Sequence, residues 1–296
     1  MKRIGFLACD TTLPGAGIRR EDAFEHDLMI AALAPAFAVQ GLELNVIDWE
    51  APMEAFAGID LVQLGTAWNY QDKSDAFLAK LDALSAQGIH VCNAPDIVRW
   101  NITKTYLRDL QQRGAKTIPT IWLDNADKSD AEAAIAQFGC KKLVVKRQIG
   151  AGAEGQELLE TGEIADGWHF NKPAMLQPFL PAIAEQGELS FIFIDGELSH
   201  TLRKRAASGE YRIQSLYGGV EEKHSPSHRE VSQAEAIIAA LPFETPLYAR
   251  IDMLGDENGD MALMEAELIE PYLYPEQGPE LGERLGVAIN KRVKSQ

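Results

Sequence analysis

Tyr248-Ala249-Arg250-Ile251-Asp252-Met253-Leu254-Gly255-Asp256-Glu257-Asn258-Gly259-Asp260-Met261-Ala262-Leu263-Met264-Glu265-Ala266-Glu267 reads as two apolar strands joined by a turn around Asp256-Glu257-Asn258-Gly259. Side chains alternate along a strand, so Arg250 and Asp252 share one face, and so do Glu265 and Glu267. Pairing the strands sets the two groups side by side. Three carboxylates on otherwise apolar strands repel one another unless a cation neutralises them. Oxygen donors of this kind suit Mg²⁺ held together with a substrate's phosphates. The plainer alternative is a solvated sheet face on which Arg250 pairs with one acid. The third acid and the apolar surroundings weigh against it.

Upstream, a strand from Leu143 to Lys146 runs into Lys146-Arg147-Gln148-Ile149-Gly150-Ala151-Gly152-Ala153-Glu154-Gly155. Glycines let a backbone approach phosphates closely and present its N–H groups. No GK[ST] follows and no helix clearly opens from the loop, so neither a Walker A motif nor a dinucleotide fingerprint is present. Taken alone, the loop reads equally well as a flexible hairpin turn. Further strands run from Ala174 to Gln177, Leu189 to Ile194 and Leu198 to Arg205, the last two joined by the two-residue hairpin signal Asp195-Gly196. Arg203-Lys204-Arg205, then Arg212, gathers positive charge in a chain short of it. Alternation points Arg203 and Arg205 one way and Lys204 the other, and an exposed basic strand is the alternative reading. Residues 229–240 read as a helix.

The first hundred residues alternate strand and helix signals. Ile4 to Cys9, Leu44 to Ile47, Leu61 to Leu64 and Ile89 to Cys92 are short apolar runs. Residues 21–39 and 74–86 carry helical spacing, the second opening on Ser74 and closing before Gly88. That rhythm predicts an α/β chain whose first domain is a doubly wound parallel sheet. After Pro95, residues 102–113 and 129–138 read as helices and Thr117 to Trp122 as a strand. The chain then turns strand-rich, in an α+β manner.

With 296 residues the chain holds roughly two domains' worth at about 150 residues each. Its formal charge of −16 disfavours binding to a nucleic-acid backbone or an anionic membrane. The three cysteines show no ligand spacing, and no signal peptide or membrane-length apolar run is seen, which points to the cytoplasm. The six histidines read as non-metal residues; Pro226 spoils the one helical pair, His224 and His228.

These pieces, in this order, resemble the ATP-grasp superfamily, and within it the glutathione synthetase and ribosomal-protein-S6-modification-like ligases. The likeness spans nearly the whole chain. It runs through Thr66-Ala67-Trp68-Asn69-Tyr70, Asn93-Ala94-Pro95, Arg99-Trp100-Asn101-Ile102-Thr103-Lys104, the loop at 146–155, Met175-Leu176-Gln177-Pro178-Phe179-Leu180, Arg250-x-Asp252 and Glu265-x-Glu267. Leu198-Ser199-His200 and Glu267-Leu268-Ile269-Glu270-Pro271 look most like the small bacterial branch that forms D-cycloserine. The resemblance implies a Rossmann-like domain at 1–97, a central ATP-grasp subdomain at 98–174 and a C-terminal one at 175–296, the last two clasping the nucleotide.

The resemblance also implies roles. Lys104 and Lys146 would reach the phosphates of ATP from two sides, and Gly150, Gly152 and Gly155 would close over them. Gln177 and the backbone of Phe179 and Leu180 would read adenine. Glu188, with Glu185 as a near rival, would hold the ribose. Asp252, Glu265 and Glu267 would carry Mg²⁺, for which Mn²⁺ could substitute. Arg250 would stabilise the transferring phosphoryl group, with Arg203 and Arg212 as partners for phosphate or a substrate carboxylate. Two departures stand out: Glu267 replaces a frequent Asn, and Trp68-Asn69-Tyr70 replaces a frequent Trp-Asp-Tyr. The expected activity is ATP-dependent C–N ligation of a small amino-acid-like substrate through an acyl phosphate, with release of ADP and phosphate. The alternatives are a small-molecule kinase on the same site and a non-catalytic nucleotide-binding protein. A homo-oligomer, dimer or tetramer, is compatible with the family.

Overall fold

A computed structural model describes residues 1–15, 17–150, 155–207, 218–256 and 258–294. The N-terminal unit is a four-stranded parallel sheet of β1 (Lys2–Ala8), β2 (Leu42–Asp48), β3 (Leu61–Thr66) and β4 (His90–Cys92), in the order β2-β1-β3-β4. Its strands are short apolar runs because parallel sheets bury both faces. Helices α1 (Ala23–Val39) and α2 (Ser74–Ala86) cover it, contributing Met29, Leu33, Phe37, Phe77, Leu81 and Leu84 to one core. The chain's last helix, α8 (Leu281–Lys294), returns to this unit and packs on α1. A Cβ at Gly282 would lie 2.6 Å from the Ala32 carbonyl, so the close approach requires glycine there.

Helix α3 (Pro95–Asn101) and helix α4 (Tyr106–Gln112) follow. The single helix expected at 102–113 starts late for a physical reason. The Lys104 amide donates to the Gln148 carbonyl at 2.8 Å, so residues 102–105 form a turn that presents the Lys104 side chain.

A second sheet joins β5 (Ile121–Leu123), β7 (Lys142–Arg147), β8 (Glu157–Glu160) and β10 (Ala174–Pro178) in the order β5-β10-β7-β8. It is backed by α5 (Lys128–Phe138), which Asp127 opens with a reciprocal capping box. The minor pair β6 (Ala126–Asp127) and β9 (His169–Phe170) completes this unit. The strand expected from Thr117 to Trp122 is split by Pro119, which has no N–H to donate. Residues 116–118 instead join the neighbouring sheet, where Leu263 N–H donates to Lys116 O at 2.7 Å.

The third unit begins with the short helix α6 (Ala182–Glu185). Its five-stranded sheet holds β11 (Glu188–Ile194), β12 (Glu197–Arg205), β13 (Val220–Lys223), β14 (Tyr248–Gly255) and β15 (Met261–Glu267), ordered β13-β12-β11-β14-β15. Asp195 and Gly196 turn β11 into β12 with φ of 51° and 84°, as the hairpin signal predicted. Helix α7 (His228–Ala239) lies against it.

The sheets divide the chain differently from the expected domain bounds. Ile97, Tyr106, Leu107 and Leu110 pack into the core of the third sheet, while β10 belongs to the second. Apolar faces decide this: residues 95–112 bury their stripe against β14 and β15. Two buried asparagines fasten the units. Asn93 donates to the Tyr248 and Leu268 carbonyls at 2.9 and 2.7 Å and accepts from Leu247 N–H at 2.7 Å. Asn101 donates to Ala266 O at 2.8 Å and accepts from Leu268 N–H at 2.9 Å.

Candidate active site

Strands β14 and β15 pair so that Arg250 faces Glu267 and Asp252 faces Glu265. Met253 then pairs with Leu263, so Met264 is the extra residue of a bulge beside the acids. The face is buried at Arg250 and Asp252, 8% and 3% exposed, and half-buried at Glu265 and Glu267.

Asp252, Glu265 and Glu267 each have a cation of the protein against them. Arg250 Nε donates to Asp252 Oδ2 at 3.1 Å, Nη2 contacts Glu267, and Nη1 donates to the Tyr272 carbonyl at 3.2 Å. Asp252 Oδ1 accepts from Ser190 Oγ at 2.5 Å and lies 3.4 Å from Lys204 Nζ. Lys104 contacts Glu265. Burial pushes the Asp252 carboxyl up, but Arg250 and Lys204 outweigh it and hold the group below its ordinary value. Glu267 is driven the other way, up to about 7: burial leads, Arg250 opposes, and the neighbouring Glu265 and Asp252 add to it.

Lys146 lies on β7 opposite Met175. Burial draws its ammonium below the ordinary value; Glu265 opposes this and Lys104 adds to it, so the two lysines approach one locus from different elements. Gln177 is buried on β10, its amide donating to Thr120 Oγ at 2.9 Å. The Phe179 amide is committed to the Lys142 carbonyl at 2.9 Å, and the Leu180 carbonyl accepts from Ile183 at 3.1 Å. Gly150 lines the cleft, and Gly155 takes φ of 66°, a left-handed conformation that favours glycine. Gly152 and Arg212 lie outside the described residues.

The two ribose candidates separate. Glu185 is exposed at the end of α6. Glu188 is buried, with Lys204 Nζ 2.5 Å from Oε1. Arg203 does not join the cluster: it donates to the Gln186 carbonyl at 2.5 Å, on the face opposite Lys204. The cation the strand supplies is Lys204, which the sequence reading left without a role. The signal was available, because Leu202 is buried two residues earlier on the same face.

A cleft runs between the units, lined by Tyr70, Asn101, Lys104, Gly150, Glu265, Glu267 and Glu270 among others. Glu270, also without a role in the sequence reading, is 8% exposed. Gln71 donates to its Oε1 at 3.1 Å and the Tyr70 hydroxyl bonds it. Burial, then the charge of Glu267, pushes its carboxyl up to about 8. Asn69 accepts from Trp49 Nε1 at 2.6 Å and donates to Glu50 at 3.1 Å, so the residue that departs from Trp-Asp-Tyr is held in place by its neighbours.

Residues 156–270 match the family of the prokaryotic glutathione synthetase ATP-grasp domain, and residues 4–93 match the N-terminal domain of D-cycloserine synthetase DcsG. The cycloserine biosynthesis protein DcsG of Streptomyces lavendulae is 27% identical over 290 residues, covering 90% of this chain and 95% of the relative. The chain has the ATP-grasp fold.

Solved structures agree on that fold. The crystal structure of D-cycloserine synthetase DcsG superposes with a TM-score of 0.81 at 21% identity, over 98% of this chain and 99% of that one. D-alanine–D-alanine ligase from Bacillus anthracis in complex with ATP gives 0.65 at 18% identity, over 100% and 98%. Among the described residues no helix is long and apolar enough to cross a membrane. Nor do three His, Cys, Asp or Glu side chains among them converge as a ready-made metal cage. Asp252, Glu265 and Glu267 line one face but are spread over Arg250, Lys204 and Lys104. The donor set still fits Mg²⁺, which binds through one or two carboxylates completed by phosphates and water rather than through an all-protein cage.

Proposed function

We propose that the ligase activates the carboxylate of a small amino-acid-like substrate as an acyl phosphate, and that a nitrogen then displaces phosphate. The observation that carries this reading is Arg250, locked between Asp252 and Glu267 on the hairpin that also holds Glu265 against Lys104. A guanidinium fixed by two carboxylates needs no reorganisation when charge develops, which is how preorganised donors stabilise a transition state. Lys104 and Lys146 bind the phosphates, and Lys204 supplies a third ammonium on the side of Glu188. Gln177 and the backbone of Phe179 and Leu180 read adenine. Glu185 holds the ribose, because Glu188 is already paired with Lys204.

Asp252, Glu265 and Glu267 are the residues that would hold Mg²⁺, which when bound neutralises charge on the phosphates. Arg250 then stabilises the phosphoryl group in transfer and the oxyanion formed when nitrogen attacks. Full-length similarity to D-cycloserine synthetase favours closure of a ring within one molecule; joining two amino acids, as the name D-alanine–D-alanine ligase states of that protein, is the second reading. The test is phosphate release across amino acids and O-ureidoserine, with mass spectrometry of products. ADP, phosphate and a new C–N bond support the reading. A stable phosphorylated product without phosphate release assigns a kinase instead.

A further inference from the structure

The four acids Glu188, Asp252, Glu265 and Glu267 each lie against a lysine or arginine: Lys204, Arg250 and Lys204, Lys104, and Arg250. Glu270 breaks that pattern. It is more than nine-tenths buried and lines the same cleft, yet among the described residues its carboxylate meets only neutral donors, the Gln71 amide and the Tyr70 hydroxyl. Its backbone is fixed as well, since Trp68 Nε1 donates to the Glu270 carbonyl at 3.0 Å. A buried carboxylate is normally paired, because leaving it without a counter-charge is costly. Here the carboxylate lines the cleft together with Glu265 and Glu267.

We propose that Glu270 binds the amino nitrogen of the substrate and so selects amine-bearing acids. The inference rests on the ligase reading and adds the feature of the substrate that is recognised. The N-terminal unit contributes to this recognition, because Tyr70 and Gln71 orient the carboxylate from across the cleft. The chemistry required is an ammonium or amine that donates N–H to one carboxylate oxygen. It is met either by the α-amino group of the activated acid or by the nitrogen that closes the bond.

The test measures phosphate release with O-ureido-D-serine, D-serine and D-alanine, and with D-glycerate and D-lactate, in which hydroxyl replaces the α-amino group. The native enzyme should prefer the amino acids over the hydroxy acids. Glu270→Gln keeps the shape and the contact with Gln71 while removing the charge that the carboxyl takes on when an ammonium binds beside it. It should raise KM for the amino acid about tenfold to a hundredfold, as loss of a charge-assisted hydrogen bond does. KM for ATP should stay within twofold, and Glu270→Asp should recover part of the loss. If α-amino recognition is the source, the preference for amino over hydroxy acids should collapse in Glu270→Gln. If the closing nitrogen is the source, the KM effect should remain while that preference is kept. An unchanged KM for the amino acid in Glu270→Gln overturns the inference and leaves the ligase reading standing. Absence of phosphate release with any acid overturns both.

Discussion

Lys204 stands in register with Glu188 across β11 and β12, and its ammonium reaches both Glu188, at 2.5 Å, and Asp252, at 3.4 Å. Burial alone would strip its proton, but Asp252 and Glu188 outweigh burial and hold it firmly charged. One lysine thus links Glu188 on β11 to Asp252 of the hairpin. Lys204→Met leaves Glu188 buried without its cation and Asp252 with Arg250 alone. Breaking a buried pair in this way costs about 3–5 kcal/mol. Chemical denaturation should register that loss, and Lys204→Arg should restore most of it. Equal stability of Lys204→Met and the native protein would show that the pair contributes nothing.

The fastening asparagines make a separate prediction. Asn93→Ala removes three hydrogen bonds at once and leaves the Tyr248 and Leu268 carbonyls and the Leu247 amide without partners. Each unsatisfied buried group costs about 1–3 kcal/mol. The variant should melt well below the native protein, while at low temperature its affinity for ATP stays within a few-fold by calorimetry.

Much of this arrangement was readable from residues. Alternation along two strands placed Arg250 with Asp252 and Glu265 with Glu267, and pairing of β14 with β15 set them side by side. Asp195-Gly196 marked its hairpin because both positions need positive φ. What stayed hidden depends on contacts distant in sequence. Nothing local to 102–105 shows that Gln148 will take the Lys104 amide and delay α4. The partners of Glu270 come from residues 70 and 71, some two hundred positions away. The sequence reading took the hairpin's acids as awaiting a metal. In the fold, Lys104, Lys204 and Arg250 already stand against them.

Glu265→Gln should raise the Mg²⁺ concentration needed for half-maximal turnover and release Lys104 from its contact. Metal titration of activity checks this. If the acid serves only to position Lys104, the change should alter KM for ATP and leave the Mg²⁺ requirement where it was.

His200 gives stability a pH dependence. It is buried, its Nε2–H donates to the Leu273 carbonyl at 2.9 Å, and burial lowers its pKa to about 4 against an ordinary 6.5. The unfolded chain therefore binds a proton that the folded chain refuses between those values. Stability from this group is complete above about pH 6.5 and falls as the pH drops toward 4, by roughly 3 kcal/mol in all. Urea midpoints measured from pH 7.5 to 4.5 should show the decline, and His200→Gln should flatten it.

Arg250→Lys keeps a positive charge between Asp252 and Glu267 but loses the fork. It should bind ATP within a few-fold of the native enzyme. Its kcat should fall about 10²–10³-fold, the cost typical of losing a transition-state donor. Calorimetry and single-turnover kinetics separate the two effects, and a fall in ATP affinity with kcat unchanged would assign Arg250 to binding alone.

The acyl phosphate is the central claim, and carboxylate ¹⁸O transfer tests it most directly. A substrate labelled in its carboxylate should deliver one ¹⁸O into the released phosphate, because the acyl phosphate bridges through that oxygen, and the nucleotide product should be ADP. Label retained wholly in the organic product, or AMP and pyrophosphate in place of ADP and phosphate, would contradict the account.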